Sequence, residues 1–291
     1  MIRRSLLYGL FFIAIVTVSF AAILIRLAEE APVLTIATWR LGIATLLLTP
    51  FSLRRRTIRE TGRCDALLCV ASGVFLAFHF ICWISSLRYT SVASSVVLVS
   101  ITPIFVGLGS FAFLRERVPL SLWLAIALCV CGGVLIEWGD IQIGRQAVHG
   151  DLLALGGALM GSAYFLIGRR VRQRLSLSRY IFLSYGTAAL VLLGASLITH
   201  QPLTGFRGET YLYLLLVAIG PQLIGHTTFN WALKYLPAST VAVLILGEPI
   251  GSTFLAYLFF KEGLTLLKGG GAAIILTGIY LSLRKEEPRN A

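Results

Sequence analysis

Residues 87–118 read LRYTSVASSVVLVSITPIFVGLGSFAFLRERV, and residues 233–264 read LKYLPASTVAVLILGEPIGSTFLAYLFFKEGL. A constant offset of 146 positions, without a gap, lays Leu87 on Leu233, Tyr89 on Tyr235, Pro103 on Pro249 and Glu116 on Glu262. Carried on to Leu135, the same register places Gly132 on Gly278 and gives twelve identities in forty-nine positions. Arg88/Lys234 and Arg115/Lys261 keep their charge. An offset of 143 likewise places Ser19 on Ser162 and Arg26 on Arg169. The second half of the chain is a diverged copy of the first. In a membrane protein such a duplication builds two related bundles that can rock around one shared site.

Composition supports the membrane setting. Of 291 residues, 57% are hydrophobic and 13% charged, against about 25% charged in an average soluble domain. The charges gather between uncharged runs of about 20 residues, the length that crosses a bilayer as a helix. Ten spans are expected, near 6–25, 32–52, 66–87, 91–114, 119–138, 151–168, 180–199, 211–232, 238–259 and 265–283. The first is read as part of the repeat rather than as a signal peptide. Its apolar run is too long for one, and the sixth span echoes it.

The formal net charge of +12 raises the question of a nucleic-acid partner. Its placement argues otherwise. With the N-terminus in the cytoplasm and ten alternating spans, 18 of the 25 Lys and Arg fall in cytoplasmic segments, six fall opposite, and Arg40 lies within a span. This positive-inside bias puts both termini in the cytoplasm. Five spans per half is an odd number, so the second repeat enters the membrane from the other side. The fold expected is an all-α membrane protein of ten transmembrane helices in two inverted five-helix repeats around a central cavity. The first repeat is placed at 1–138, a linker at 139–150 and the second repeat at 151–291. The five cysteines suggest no disulfide framework, and Cys129 and Cys131 point to different sides of a helix. No metal or cofactor is expected.

Polar groups inside spans mark the interior, because hydrocarbon offers them no partner. Thr35, Thr38, Gly42, Thr45 and Thr49 share one helix face, either a packing seam or a pathway lining. Arg40, beside Trp39, either snorkels outward or points inward to a carboxylate or a substrate. Phe75, His79, Cys82 and Ser86 form one face of the third span, with Phe78 and Trp83 near His79. A neutral imidazole both donates and accepts, which suits substrate contact, a proton relay or a buried structural hydrogen bond. Gln222, His226 and Asn230 are spaced by four in the eighth span, just after Pro221, which removes a backbone hydrogen bond. Glu248 is the only carboxylate clearly inside a span, and its counterpart in the repeat is Thr102. Pro103 and Pro249 point to matching helix irregularities. Gly157 and Gly161 allow close helix approach, and Tyr164 lies on their face. His79, Tyr164 and Asn230 are expected to meet in a midplane space and contact substrate, with Phe78, Cys82, His226 and Trp39 as further candidates. Glu248 and Arg40 are either a coupling pair or a structural ion pair.

The two quoted stretches, the central prolines and the Arg115-Glu116 and Lys261-Glu262 ends resemble the drug/metabolite transporter superfamily, EamA type. Arg40 and the stretch FHFICWISSLRYT (78–90) add to the likeness, which covers nearly the whole chain. Within that superfamily the histidine-and-aromatic lining is most similar to YddG-type amino-acid exporters. The resemblance implies a secondary transporter in the inner (plasma) membrane, exporting aromatic and other neutral amino acids by alternating access. It also implies a cavity lined by the first four helices of each repeat, with the fifth and tenth peripheral. Export of another metabolite or drug is the alternative, and a structural membrane protein or channel is the reading of another class. No HExxH, GxSxG or paired intramembrane aspartates suggest an enzyme. The partners expected are a small-molecule substrate and the lipid bilayer, with no nucleic acid and a monomeric chain.

Overall fold

The computed structural model describes residues 4–52, 62–116, 118–138, 145–261 and 263–284, with no β-strand among the described residues. Long helices α1 (Arg4–Leu27), α2 (Val33–Ser52) and α3 (Arg63–Ser86) open the chain. The fourth run is broken into α4 (Val92–Val99) and α5 (Thr102–Gly109), the latter passing into a π-helical turn at Ser110–Leu114. Helices α6 (Leu120–Glu137), α7 (Arg145–Arg172) and α8 (Leu177–Ile198) follow. The next run is α9 (Gly208–Val217), a π-helical stretch at Ala218–His226 and α10 (Thr227–Ala232). A second broken run, α11 (Ala238–Ile245) and α12 (Glu248–Phe260), precedes α13 (Leu266–Arg284). Eight of these helical stretches are long and apolar enough to cross a membrane, and two more, Leu120–Leu135 and Leu266–Ser282, are apolar but shorter.

The sequence explains the breaks. Pro103 and Pro249 sit in the first turn of α5 and α12, where a missing N–H costs nothing but the preceding helix cannot run through. Ser91 caps α4 by accepting from Ser94 N at 3.0 Å. Pro221 lies within the π-helical stretch, which rearranges the hydrogen bonds that proline cannot make. The proline breaks, though not the π-helical stretches, recur at the offset of 146. The break at 100–101 returns at 246–247, and the helices end in left-handed residues at Arg115 (φ 54°) and Lys261 (φ 59°).

Contacts between the halves also come in reciprocal pairs. Ser19 Oγ donates to the Glu248 carbonyl at 3.5 Å, and Ser162 Oγ donates to the Thr102 carbonyl at 3.3 Å. Ser19 matches Ser162 and Thr102 matches Glu248, so each half lends the other the same bond. Helices α6 and α13 repeat the pattern. A side chain at Gly132 would collide with Gly271 and Ile275, and one at Gly278 with Ala125 and Cys129, their counterparts. Arg169 Nε donates to Glu116 Oε1 at 2.8 Å. The matching partner of Arg26, Glu262, lies outside the described residues.

Connections gather at two ends. At one end Arg169 Nη1 donates to the Leu233 carbonyl at 2.7 Å, and Arg174 meets Asp65 at 3.4 Å. At the other, Arg88 donates to the Glu29 and Ala31 carbonyls at 2.9 and 2.8 Å, and Thr210 Oγ1 donates to Glu30 at 2.8 Å. The threonine face of α2 is a packing seam. Thr35 donates to the Pro202 carbonyl at 2.7 Å, Thr38 lies 3.3 Å from Ser196 Oγ, and Thr45 packs beside Gly186 of α8.

Two boundaries differ from the sequence expectation. Residues 145–150 belong to α7 rather than to a linker, because Arg145, Gln146 and His149 supply helix-compatible residues beyond the apolar run. The rest of the expected linker, 139–144, lies outside the described residues, as do Arg54, Arg55, Arg56, Arg59 and Arg117. Helix α3 starts at Arg63, before the expected start of the third span near 66, so that Cys64 lies exposed in its first turn.

Candidate functional site

Residues from both halves enclose a small cavity of about 50 Å³. Its wall includes Val18, His79, Trp83, Thr102, Pro103, Tyr164, His226, Phe229 and Glu248. The broken helices supply the rim. Thr102, Pro103 and Glu248 all sit at the starts of the second half-helices, and His226 ends the π-helical stretch. Helix breaks thus bring polar side chains to mid-depth where a continuous helix would pass them by.

His79 is held firmly. Its Nδ1 donates to the Gly157 carbonyl at 2.8 Å, which fixes the proton on Nδ1 and leaves Nε2 as an acceptor. The ring stacks on Trp83 at 6.3 Å, with 13° between the planes. Gly157 and Gly161 make this possible, since a Cβ at Gly161 would lie 2.8 Å from His79 Nδ1. Tyr164 is buried, and its hydroxyl accepts from Asn230 Nδ2. Asn230 also donates to Tyr185 Oη at 3.1 Å and to the His226 carbonyl at 2.8 Å.

The structure therefore brings His79, Tyr164, His226 and Glu248 to one cavity. Asn230 stands one layer behind the wall, orienting Tyr164. Three other expected contacts are corrected. Phe78 is 47% exposed on the outer surface, because one residue along a helix turns the side chain by about 100° from His79. Cys82 is half-buried beside Gly156 of α7 and does not reach the cavity. Trp39 spends its Nε1–H on the Leu203 carbonyl at 2.9 Å and packs edge-on to Tyr211. Sequence reasoning missed Trp83 and Phe229 as wall residues, although each follows a site histidine by one helical turn.

Arg40 points inward and is fully buried. Its Nε donates to Gln222 Oε1 at 2.7 Å, and its guanidinium lies over the Phe80 ring at 4.1 Å. Both Nη atoms lack a partner among the described residues, so the expected ion pair with Glu248 is not formed in this structure. The wall has hydrogen-bonding groups on an aromatic surface, and no cluster of metal-ligating residues occurs among the described residues.

A sequence model of the EamA-like transporter family matches residues 5–138 and again 148–284. This chain belongs to the EamA-like transporter family. It is 25% identical over 87% of its length, and 87% of the relative's, to an uncharacterized transporter of Archaeoglobus fulgidus. It is 27% identical to the pseudopaline exporter CntI of Pseudomonas aeruginosa, covering 88% of each chain. It is 25% identical to the uncharacterized transporter YetK of Bacillus subtilis, covering 90% of this chain and 82% of that one. A solved crystal structure shares the fold with a TM-score of 0.78 at 19% identity, over 96% of each chain. The chain is thus a multi-pass membrane transporter.

Proposed function

We propose that this protein is a secondary transporter that exports small metabolites, principally aromatic and other neutral amino acids, by alternating access of the central cavity. The observation that carries this reading is the small cavity between the halves, walled by Trp83, Phe165 and Phe229 with His79, Tyr164, His226 and Glu248 among them. At about 50 Å³ it holds water but no amino acid. Arg174–Asp65 at one end and Thr210–Glu30 at the other join the halves, so in this reading substrate binding requires opening toward one face. Reciprocal bonds such as Ser19–Glu248 and Ser162–Thr102 support two inverted five-helix repeats, at 1–138 and 151–291, as the moving bodies. In this reading ten helices cross the inner membrane, both termini lie in the cytoplasm and the monomer is the working unit.

The test is counterflow. Proteoliposomes loaded with unlabelled L-phenylalanine should accumulate labelled L-phenylalanine transiently, and His79→Ala should cut the initial rate about tenfold at equal protein. Wild-type rates no higher than those of empty liposomes, for both phenylalanine and leucine, would remove the amino-acid reading. Normal kinetics in His79→Ala, Tyr164→Ala and Asn230→Ala alike would move the site elsewhere.

A further inference from the structure

Among the described residues, the guanidinium of Arg40 presents the largest unmet hydrogen-bonding demand in the interior. It is fully buried, yet only Nε is used, on Gln222 Oε1 at 2.7 Å. Among the described residues both Nη atoms are without partners, and so is Trp83 Nε1. These are all donors, and the group they lack is an acceptor. A planar carboxylate matches the fork of two Nη atoms, which is the geometry that distinguishes arginine from lysine. The position lies just behind the cavity wall. Trp83 lines the cavity and stands 5.9 Å from the guanidinium carbon, while His226 lines the cavity and packs edge-on against Phe80 at 5.6 Å. One aromatic layer separates Arg40 from the cavity, and a substrate larger than a few waters must displace part of that wall.

We propose that Arg40 is the binding site for the carboxylate of the substrate, reached when the Phe80–His226 contact parts, with Glu248 receiving the ammonium. This rests on the amino-acid reading above and sharpens it. The transported class is α-amino carboxylates, and amines of the same side chain are rejected. Gln222 is a positioning residue that holds the guanidinium by Nε and so leaves both Nη atoms free.

Thermal-shift titration of the detergent-solubilised protein tests this with three probes: L-phenylalanine, 3-phenylpropionate, which lacks the ammonium, and phenethylamine, which lacks the carboxylate. A ligand that binds only the folded state raises Tm. The wild type should be stabilised most by phenylalanine, more weakly by 3-phenylpropionate, and least by phenethylamine, which keeps only the contact to Glu248. Arg40→Gln should raise the half-saturating concentration of phenylalanine at least about tenfold, the loss expected for charge-assisted bonds, and abolish the preference over phenethylamine. Should that variant fail to fold, Arg40→Lys retains the charge without the fork and should lose most of the same preference. A purely structural arginine would lower Tm without changing the ratio between probes. Phenethylamine stabilising the wild type as well as phenylalanine does, an unchanged ratio in the Arg40 variants, or no shift from either carboxylate would each overturn the proposal. If 3-phenylpropionate binds through Arg40 while phenylalanine neither binds nor moves in counterflow, the carboxylate site stands and the amino-acid reading falls. If wild type and Arg40→Gln export phenylalanine equally, the reading stands and the site falls.

Discussion

Gly161→Ala should be costly out of proportion to one methyl group. The new Cβ would lie 2.8 Å from His79 Nδ1, 3.2 Å from Cε1 and 3.5 Å from Cγ. His79 has little freedom to yield, since its Nδ1 is bonded to the Gly157 carbonyl at 2.8 Å and its ring stacks on Trp83. Overpacking costs about 1–3 kcal/mol, and losing the hydrogen bond costs about 1 kcal/mol more. Alanine's helix propensity returns at most about 1 kcal/mol. The net destabilisation is therefore about 1–3 kcal/mol. Gly42 is the control, for a Cβ there meets nothing within 4 Å, and Gly42→Ala should be neutral or stabilising. Equilibrium unfolding in mixed detergent–SDS micelles measures both. The sharper assay is a double-mutant cycle with His79→Ala, in which removing the ring should recover about 1–2 kcal/mol of the Gly161→Ala cost. Gly161→Ala as stable as Gly42→Ala, or a coupling below about 0.5 kcal/mol, would refute the reasoning.

Glu248→Gln keeps the shape of the cavity wall and removes the charge, so under proton coupling it should exchange substrate more slowly, through the lost ammonium contact, and no longer concentrate it against a pH gradient. A wild type indifferent to that gradient would exclude proton coupling through Glu248. At the opposite end, Glu30 accepts from the Thr210 hydroxyl at 2.8 Å and the Arg207 N–H at 3.1 Å, and these bonds hold its carboxyl below the ordinary value of 4.5. A lowered folded-state pKa gives stability that is complete above the unfolded value and is lost as pH falls through the folded one. Wild type should therefore lose Tm relative to Glu30→Gln on acidification below about pH 4.5, and superimposable profiles would exclude the latch. A cysteine beside Arg172 should react with impermeant reagent from the cytoplasmic face alone, and one at Gly208 from the other face. Labelling of both from one side would contradict the alternation of the helices.

Helix positions were legible because bilayer-length apolar runs leave little freedom, and the broken runs because Pro103 and Pro249 interrupt them at matched places. The cavity wall was legible in part. His79, Tyr164, His226 and Glu248 are polar interruptions on faces that periodicity assigns to the interior, and the cavity lies among them. Phe78 and Cys82 were misread because neighbours in sequence leave a helix in different directions, and which helix packs on each face is a tertiary matter. Trp39 depends on the 202–203 loop, more than 160 residues away, whose carbonyl takes its N–H. The direction of Arg40 was undecidable for the same reason, since Gln222 and Phe80 reach it only through folding. Two features needed no structure to find but needed one to interpret. The Thr102/Glu248 correspondence became a reciprocal hydrogen bond, and the GxxxG of Gly157 and Gly161 became the seat of His79.

The central claim is that one cavity between the halves opens to each face in turn. Thr102→Cys, in a background without other cysteines, places a thiol in the cavity wall. In right-side-out and inverted vesicles an impermeant maleimide should reach it from either face. Joining cysteines at positions 30 and 210 with a short bifunctional reagent should then abolish labelling from the outer face and leave or raise labelling from the cytoplasmic face. Undiminished outer labelling after the cross-link, or a thiol reachable from one face only under every condition, would contradict alternating access.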